Sequence, residues 1–234
     1  MCLICDKGSL RRRGLFATGA ALLASAATTT TAQAQTPARP ATPAAAMQVL
    51  MEGNARYVAN QPLQRDFSAR RAALAQGQAP FAAVLGCADS RVAPELAFDQ
   101  SPGDLFVVRV AGNFVTADGL GSLEFGAAVL GTKLILVLGH TSCGAVNATV
   151  EALQKGNTLP GHIAGLVTAM KPGIEPALAQ PGNDLIRRAL VANVQHSVRT
   201  LETSTPILAD MVARGALAVK GGIYDLATGR VELI

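Results

Sequence analysis

The chain has 234 residues, half of them apolar, with 15% charged residues, no Trp and a formal net charge of +4. That length suits one domain with a substantial core, and the composition excludes an intrinsically disordered chain. The charge argues neither for nucleic acid nor for anionic lipid: Lys7, Arg11, Arg12 and Arg13, against Asp6, supply most of it, and the chain beyond residue 34 is near +1.

The first 34 residues read as an export signal. The basic segment Ser9-Leu10-Arg11-Arg12-Arg13-Gly14-Leu15-Phe16 resembles a twin-arginine signal, Leu15 to Ala27 is an apolar stretch, and Ala32-Gln33-Ala34 is a small-x-small cleavage site. A membrane anchor is the alternative, but thirteen residues fall short of the ~20 that span a bilayer. The expected location is the periplasm, with membrane contact only if the signal stays uncleaved. Cys2-x-x-Cys5 leaves with the signal and carries no expected role.

Gln35 to Ala46, with Pro37, Pro40 and Pro43 among Ala and Thr, is expected to be a flexible tether that contributes nothing to the core. A single domain is expected over 47–234. Met47 to Asn60 has helical apolar spacing, and a second helix is expected around Ala69 to Gln76. Three short apolar runs follow as core strands: Phe81 to Gly86, Leu105 to Val110, and Leu134 to Gly139. Helical stripes lie between and after them, at Leu120 to Leu130 and Ala145 to Leu153. A long amphipathic helix spans Asn183 to Glu202, with Asn183 placed to cap it. Leu217 to Tyr224 and Val231 to Leu233 read as a terminal hairpin. Strands alternating with helices predict an α/β fold. It has a mostly parallel central sheet flanked by helices, an N-terminal helical arm and a C-terminal antiparallel edge strand.

Two strings carry the chemistry. Cys87-Ala88-Asp89-Ser90-Arg91 follows the first strand, and His140-Thr141-Ser142-Cys143-Gly144 follows the third. The carboxyl ends of neighbouring parallel strands converge, and open α/β sheets bind ligands there. Two thiolates and one imidazole suit zinc, and three protein ligands leave the fourth position for water or substrate. In an exported chain the alternative is a Cys87–Cys143 disulfide; the flanking Asp, Arg and His argue for metal. Asp89, an acceptor when ionised, is placed to orient a metal-bound water, and Arg91 to hold Asp89 ionised. An ordinary ion pair at a strand end is the alternative for these two. His162 and His196 are expected in surface or packing roles.

These strings resemble the β-class carbonic anhydrases. Gly103 to Asn113, Gly121 to Phe125, Gly139 to Val146 and Gly222 to Asp225 extend the resemblance from about Met47 to the C-terminus. It implies one zinc per subunit on Cys87, His140 and Cys143, with Asp89 and Arg91 as a gating pair. It implies reversible hydration of carbon dioxide to bicarbonate by zinc-bound hydroxide. It also implies a homodimer, or a multiple of one, with pockets at the interface. Gln78 stands nine residues before Cys87, where similar enzymes carry a substrate-orienting glutamine; a solvated loop residue is the alternative. Phe106 matches an apolar pocket position, although core packing explains it equally well. Phe125 stands where some members carry Tyr. Members in which Asp displaces water from zinc carry a Trp where this chain has Val84, so the expected form has water on zinc and Asp89 held by Arg91. Hydrolysis of carbonyl sulfide or carbon disulfide on the same scaffold is a competing reading, and a zinc-stabilised binding module is another. A thiol oxidoreductase would need a Cys-x-x-Cys, which the chain beyond residue 34 lacks.

Overall fold

The computed structural model describes residues 39–234. The expected export signal and residues 35–38 of the expected tether lie outside the described residues.

The sheet forms because its two central strands are apolar on both faces. β1 (Ala82–Gly86) and β3 (Leu134–His140) are buried at every position. Strand order is β2-β1-β3-β4-β5, where β2 is Leu105–Arg109, β4 is Ala218–Tyr224 and β5 is Val231–Leu233. The first four strands are parallel, and β5 closes the far edge antiparallel to β4. Period-two alternation divides β3 between two cores. Ile135 and Val137 face one, with Ala83 and Leu85 of β1; Leu134, Leu136 and Leu138 face the other, with Ala82 and Val84. Each such side chain contributes about 1.5–3 kcal/mol by burial.

Helices cover both faces. α1 (Pro43–Val58) and the single turn α3 (Pro94–Ala97) pack on one. α4 (Ala117–Ala128), α5 (Gly144–Lys155), α6 (Ile163–Leu178) and α7 (Leu185–Glu202) pack on the other. α2 (Phe67–Leu74) and α8 (Leu208–Ala213) are short. Among the described residues no helix is long and apolar enough to cross a membrane.

Two expectations are corrected, and one helix is added. The tether is not free up to residue 46: Thr42 caps α1 through its side chain, Pro43 takes the first turn, and Ala46 is fully buried in the core. Arg39 is also fixed, donating to the carbonyls of Pro80 at 2.6 Å and Leu130 at 2.9 Å. Proline is well suited to a helix's first turn, which is why a proline-rich string ends in a helix here. The cap of α7 is Asp184, not Asn183; its carboxylate accepts from Arg187 N–H at 3.0 Å. α6 was hidden by Pro172 and Pro176, which lie on its exposed side while Met170, Gly173, Ile174 and Ala177 form a buried stripe.

A buried aspartate secures the N-terminal arm. Asp99 is 4% exposed and takes a left-handed φ of +47°. It accepts from Arg56 Nε at 2.6 Å, from Leu63 N–H at 3.3 Å, and from Arg65. Burial alone would raise its pKa, but the two guanidinium groups outweigh burial and hold the carboxyl below the usual carboxylate range. A depressed folded pKa gives stability that is present above the unfolded value of about 3.9 and lost as pH falls through the folded value. Asp99→Asn keeps the shape and the tolerance for left-handed backbone. It is expected to cost roughly 2–3 kcal/mol at neutral pH, since hydrogen bonds to a charged group are lost. In urea titrations that gap closes below about pH 4; a gap independent of pH would contradict the account.

Candidate metal centre

Cys87 is the first residue after β1, and His140 is the last of β3, the adjacent parallel strand. Cys143 follows a tight turn through Ser142, whose φ is +55°, and occupies the N-cap of α5. All three side chains are buried, and their ligand atoms lie within 4.8 Å of one another. The two sulfurs are 4.0 Å apart and share a hydrogen bond rather than a disulfide.

Each group is prepared for a cation. His140 Nδ1 pairs with the Thr141 carbonyl at 2.9 Å, which fixes it as the donor and leaves Nε2 with a lone pair. Nε2 is buried and has no hydrogen-bond partner among the described residues. Cys87 is pulled down to about 4, first by the hydrogen bond from Cys143, against burial, with help from His140 and the Gly112 amide. Cys143 is pushed up by that same shared proton and by burial, while the Ala145 and Val146 amides of α5 favour its thiolate. Two thiolates this close cannot both ionise without a neighbouring positive charge. Burial would lower His140, but the Cys87 contact and the Thr141 carbonyl outweigh it and raise its pKa. The donor set fits zinc. With Zn–S near 2.3 Å, sulfurs at tetrahedral positions stand about 3.8 Å apart, close to the 4.0 Å seen here.

Asp89 and Arg91 form a two-point pair beside the cluster. Arg91 Nε and Nη2 donate to Asp89 Oδ1 and Oδ2 at 2.9 and 2.7 Å, and the Arg91 amide adds a third bond at 3.0 Å. The guanidinium holds the Asp89 carboxyl far below the usual range. Asp89 Oδ2 stands 3.8 Å from His140 Nε2, so the carboxylate borders the cluster while facing Arg91. Arg91 also reaches the Ser142 carbonyl at 3.3 Å, tying the two ligand loops together.

The residues expected to line a pocket do not join this cluster within one chain. Gln78 is exposed and precedes β1, whereas Cys87 follows it, so the strand separates them. Phe106 pairs with Ala83, four residues before Cys87, or about 13 Å along the strand. It packs under α4, where a Cβ on Gly126 would meet its ring at 3.2 Å. Phe125 on α4 is 47% exposed. His162 caps no group through its side chain, and His196 is half-buried against Gly173.

Two supports went unassigned in the sequence. Arg109 ends β2 and donates to the carbonyls of Cys87 and Asp89 at 2.8 and 2.7 Å, shaping the first ligand loop. Gly112 donates its N–H to Cys87 Sγ at 3.3 Å. The charge closing an apolar strand, Leu105 to Arg109, was the available signal for Arg109; nothing local marks the Gly112 contact.

A buried Cys-His-Cys cluster at the carboxyl edge of a parallel sheet, with a carboxylate beside it, defines a metalloenzyme-type site on an α/β scaffold. The carbonic anhydrase family profile matches residues 82–231. A carbonic anhydrase of Mycolicibacterium smegmatis is 44% identical, over 82% of this chain and 93% of that relative. Carbonic anhydrase 2 of Mycobacterium tuberculosis is 41% identical, over 82% of this chain and 92% of the relative. Among solved structures, a tetrameric β-carbonic anhydrase of Sordaria macrospora superposes with a TM-score of 0.63 at 26% identity, covering 77% of this chain and 90% of that one. The chain belongs to the carbonic anhydrase family, in its β class, and is an enzyme of that family.

Proposed function

We propose that Cys87, His140 and Cys143 hold one zinc ion per subunit and that the chain hydrates carbon dioxide reversibly at that centre. The observation that carries this reading is the buried His140 Nε2, without a hydrogen-bond partner among the described residues, within 4.8 Å of two sulfurs that form no disulfide. Zinc held there would supply Lewis acidity that brings the pKa of water toward neutrality. The residues do the rest. Two thiolates offset the metal's charge, so acidification is weaker than with neutral ligands, and Asp89 compensates. As an ionised carboxylate it only accepts hydrogen bonds. It would therefore accept a hydrogen bond from the attacking water and orient the oxygen lone pair toward the substrate carbon. Arg91 keeps Asp89 ionised and turned from the metal, the open form.

The substrate side needs a second copy of the chain. β2 is an open parallel edge, and Leu96, Phe125 and Val129 are exposed apolar residues. Pairing of such surfaces buries them and brings Gln78 of one copy within reach of the other's centre, which it cannot contact in its own chain. Phe106 and Phe125 then line the apolar side of that pocket. The Sordaria macrospora relative is tetrameric, which supports a dimer or a multiple of one. Sedimentation at micromolar concentration should give that species; a fully active monomer would overturn this part of the reading.

We also propose periplasmic export by the twin-arginine route, on the strength of the basic and apolar segments of residues 9–27. That route carries folded proteins, so the metal would be bound before the thiols meet an oxidising compartment.

The test of function is a paired assay on zinc-loaded protein: stopped-flow hydration of carbon dioxide and hydrolysis of carbonyl sulfide. Fast hydration with little sulfide release supports the proposal. Sulfide release without hydration moves the function to the sulfur substrates.

A further inference from the structure

The Cys87 sulfur is addressed by a helix that supplies no ligand. Gly112, whose N–H reaches Cys87 Sγ, lies in a turn closed by the Asn113 N–H on the Val110 carbonyl at 2.9 Å. Its φ is +89°, and a Cβ there would stand 2.3 Å from Met170 Sδ, so only glycine can present this amide. α7 holds the turn in place. Asn193 Nδ2 donates to the Gly112 carbonyl at 2.8 Å, and Ser197 Oγ donates to the Asn113 carbonyl at 3.4 Å. The two are four residues apart, on one face of the helix, and both are buried. Asn193 Oδ1 has no partner among the described residues. An apolar side chain there would leave the buried Gly112 carbonyl unpaired, so the Asn193 donor is what holds this turn in one conformation.

We propose that Asn193 is a positioning residue for the metal centre. By holding the Gly112 carbonyl it fixes the turn from which the Gly112 N–H points at the Cys87 thiolate, and Ser197 steadies the same turn. An N–H on a thiolate withdraws charge from the sulfur, so the sulfur gives less to the metal and the metal stays more acidic. This inference rests on the reading of Cys87 as a ligand.

The test uses the full chain loaded with cobalt(II), whose thiolate-to-metal charge-transfer band reports charge on the sulfurs. Asn193→Leu removes the donor. Asn193→Asp keeps the shape but replaces the donor with an acceptor. Val198→Ala is the control: it loosens α7, where Val198 packs against Gly221, without touching the turn. Both Asn193 variants should move the band to lower energy, because the sulfur then keeps the charge that the N–H had withdrawn. Val198→Ala should leave the band as in the unmodified chain. An unmoved band in the Asn193 variants would overturn the proposal, as would an equal shift in Val198→Ala. If the unmodified chain shows no thiolate-to-cobalt band, the ligand reading itself falls.

Discussion

Cys143→Ser is expected to leave a folded chain that holds no stoichiometric zinc and hydrates carbon dioxide on the order of 10³-fold more slowly or worse. The reasoning starts from position. Cys143 caps α5, is 2% exposed, and lies 4.0 Å from Cys87 Sγ. A serine hydroxyl has the same reach within a few tenths of an ångström but does not ionise near neutral pH, so it offers no anionic donor. Only Cys87 and His140 then remain, and two donors do not make a closed tetrahedral shell. Metal that binds only the folded chain also stabilises it by mass action, so the variant melts lower than the zinc-loaded protein and alike with the metal-stripped one. Metal counting, calorimetry and stopped flow check all three. Full zinc content with unchanged turnover would contradict the ligand assignment.

Asp89→Asn is expected to keep its zinc and lose on the order of 10²-fold in turnover, the size of loss when a reacting group is no longer held in its productive orientation. The amide keeps the shape but presents a donor where the attacking water needs an acceptor, and Arg91 loses the anion it grips. Stability should hardly change. Arg91 is 54% exposed, Asp89 16%, and an exposed pair of this kind contributes at most about 1 kcal/mol. The variant thus separates function from folding. Unchanged turnover would make Asp89–Arg91 an ordinary ion pair. Lost zinc would instead make Asp89 a metal ligand.

Much of this was legible in the sequence for identifiable reasons. β1 and β3 are buried on both faces, so their apolar runs are continuous and their ends are sharp. Cys87, His140 and Cys143 stand out by residue type at those ends. What escaped was set by tertiary structure. Gln78 is close to Cys87 in number, yet β1 carries the chain across the sheet between them. α6 carries a clear buried stripe, but two prolines on its outer side disguise it. Asn193 meets Gly112 across 81 residues, a contact no local pattern announces. Thr42 and Pro43 turn the last part of an apparent linker into a helix start.

The most direct test of the central claim is X-ray absorption at the zinc edge on purified protein grown with zinc. The account predicts one zinc per chain, with two sulfurs at about 2.3 Å and one imidazole nitrogen at about 2.0–2.1 Å, the remainder being light atoms. A shell without sulfur, or a chain with a Cys87–Cys143 disulfide and no stoichiometric metal, would contradict it.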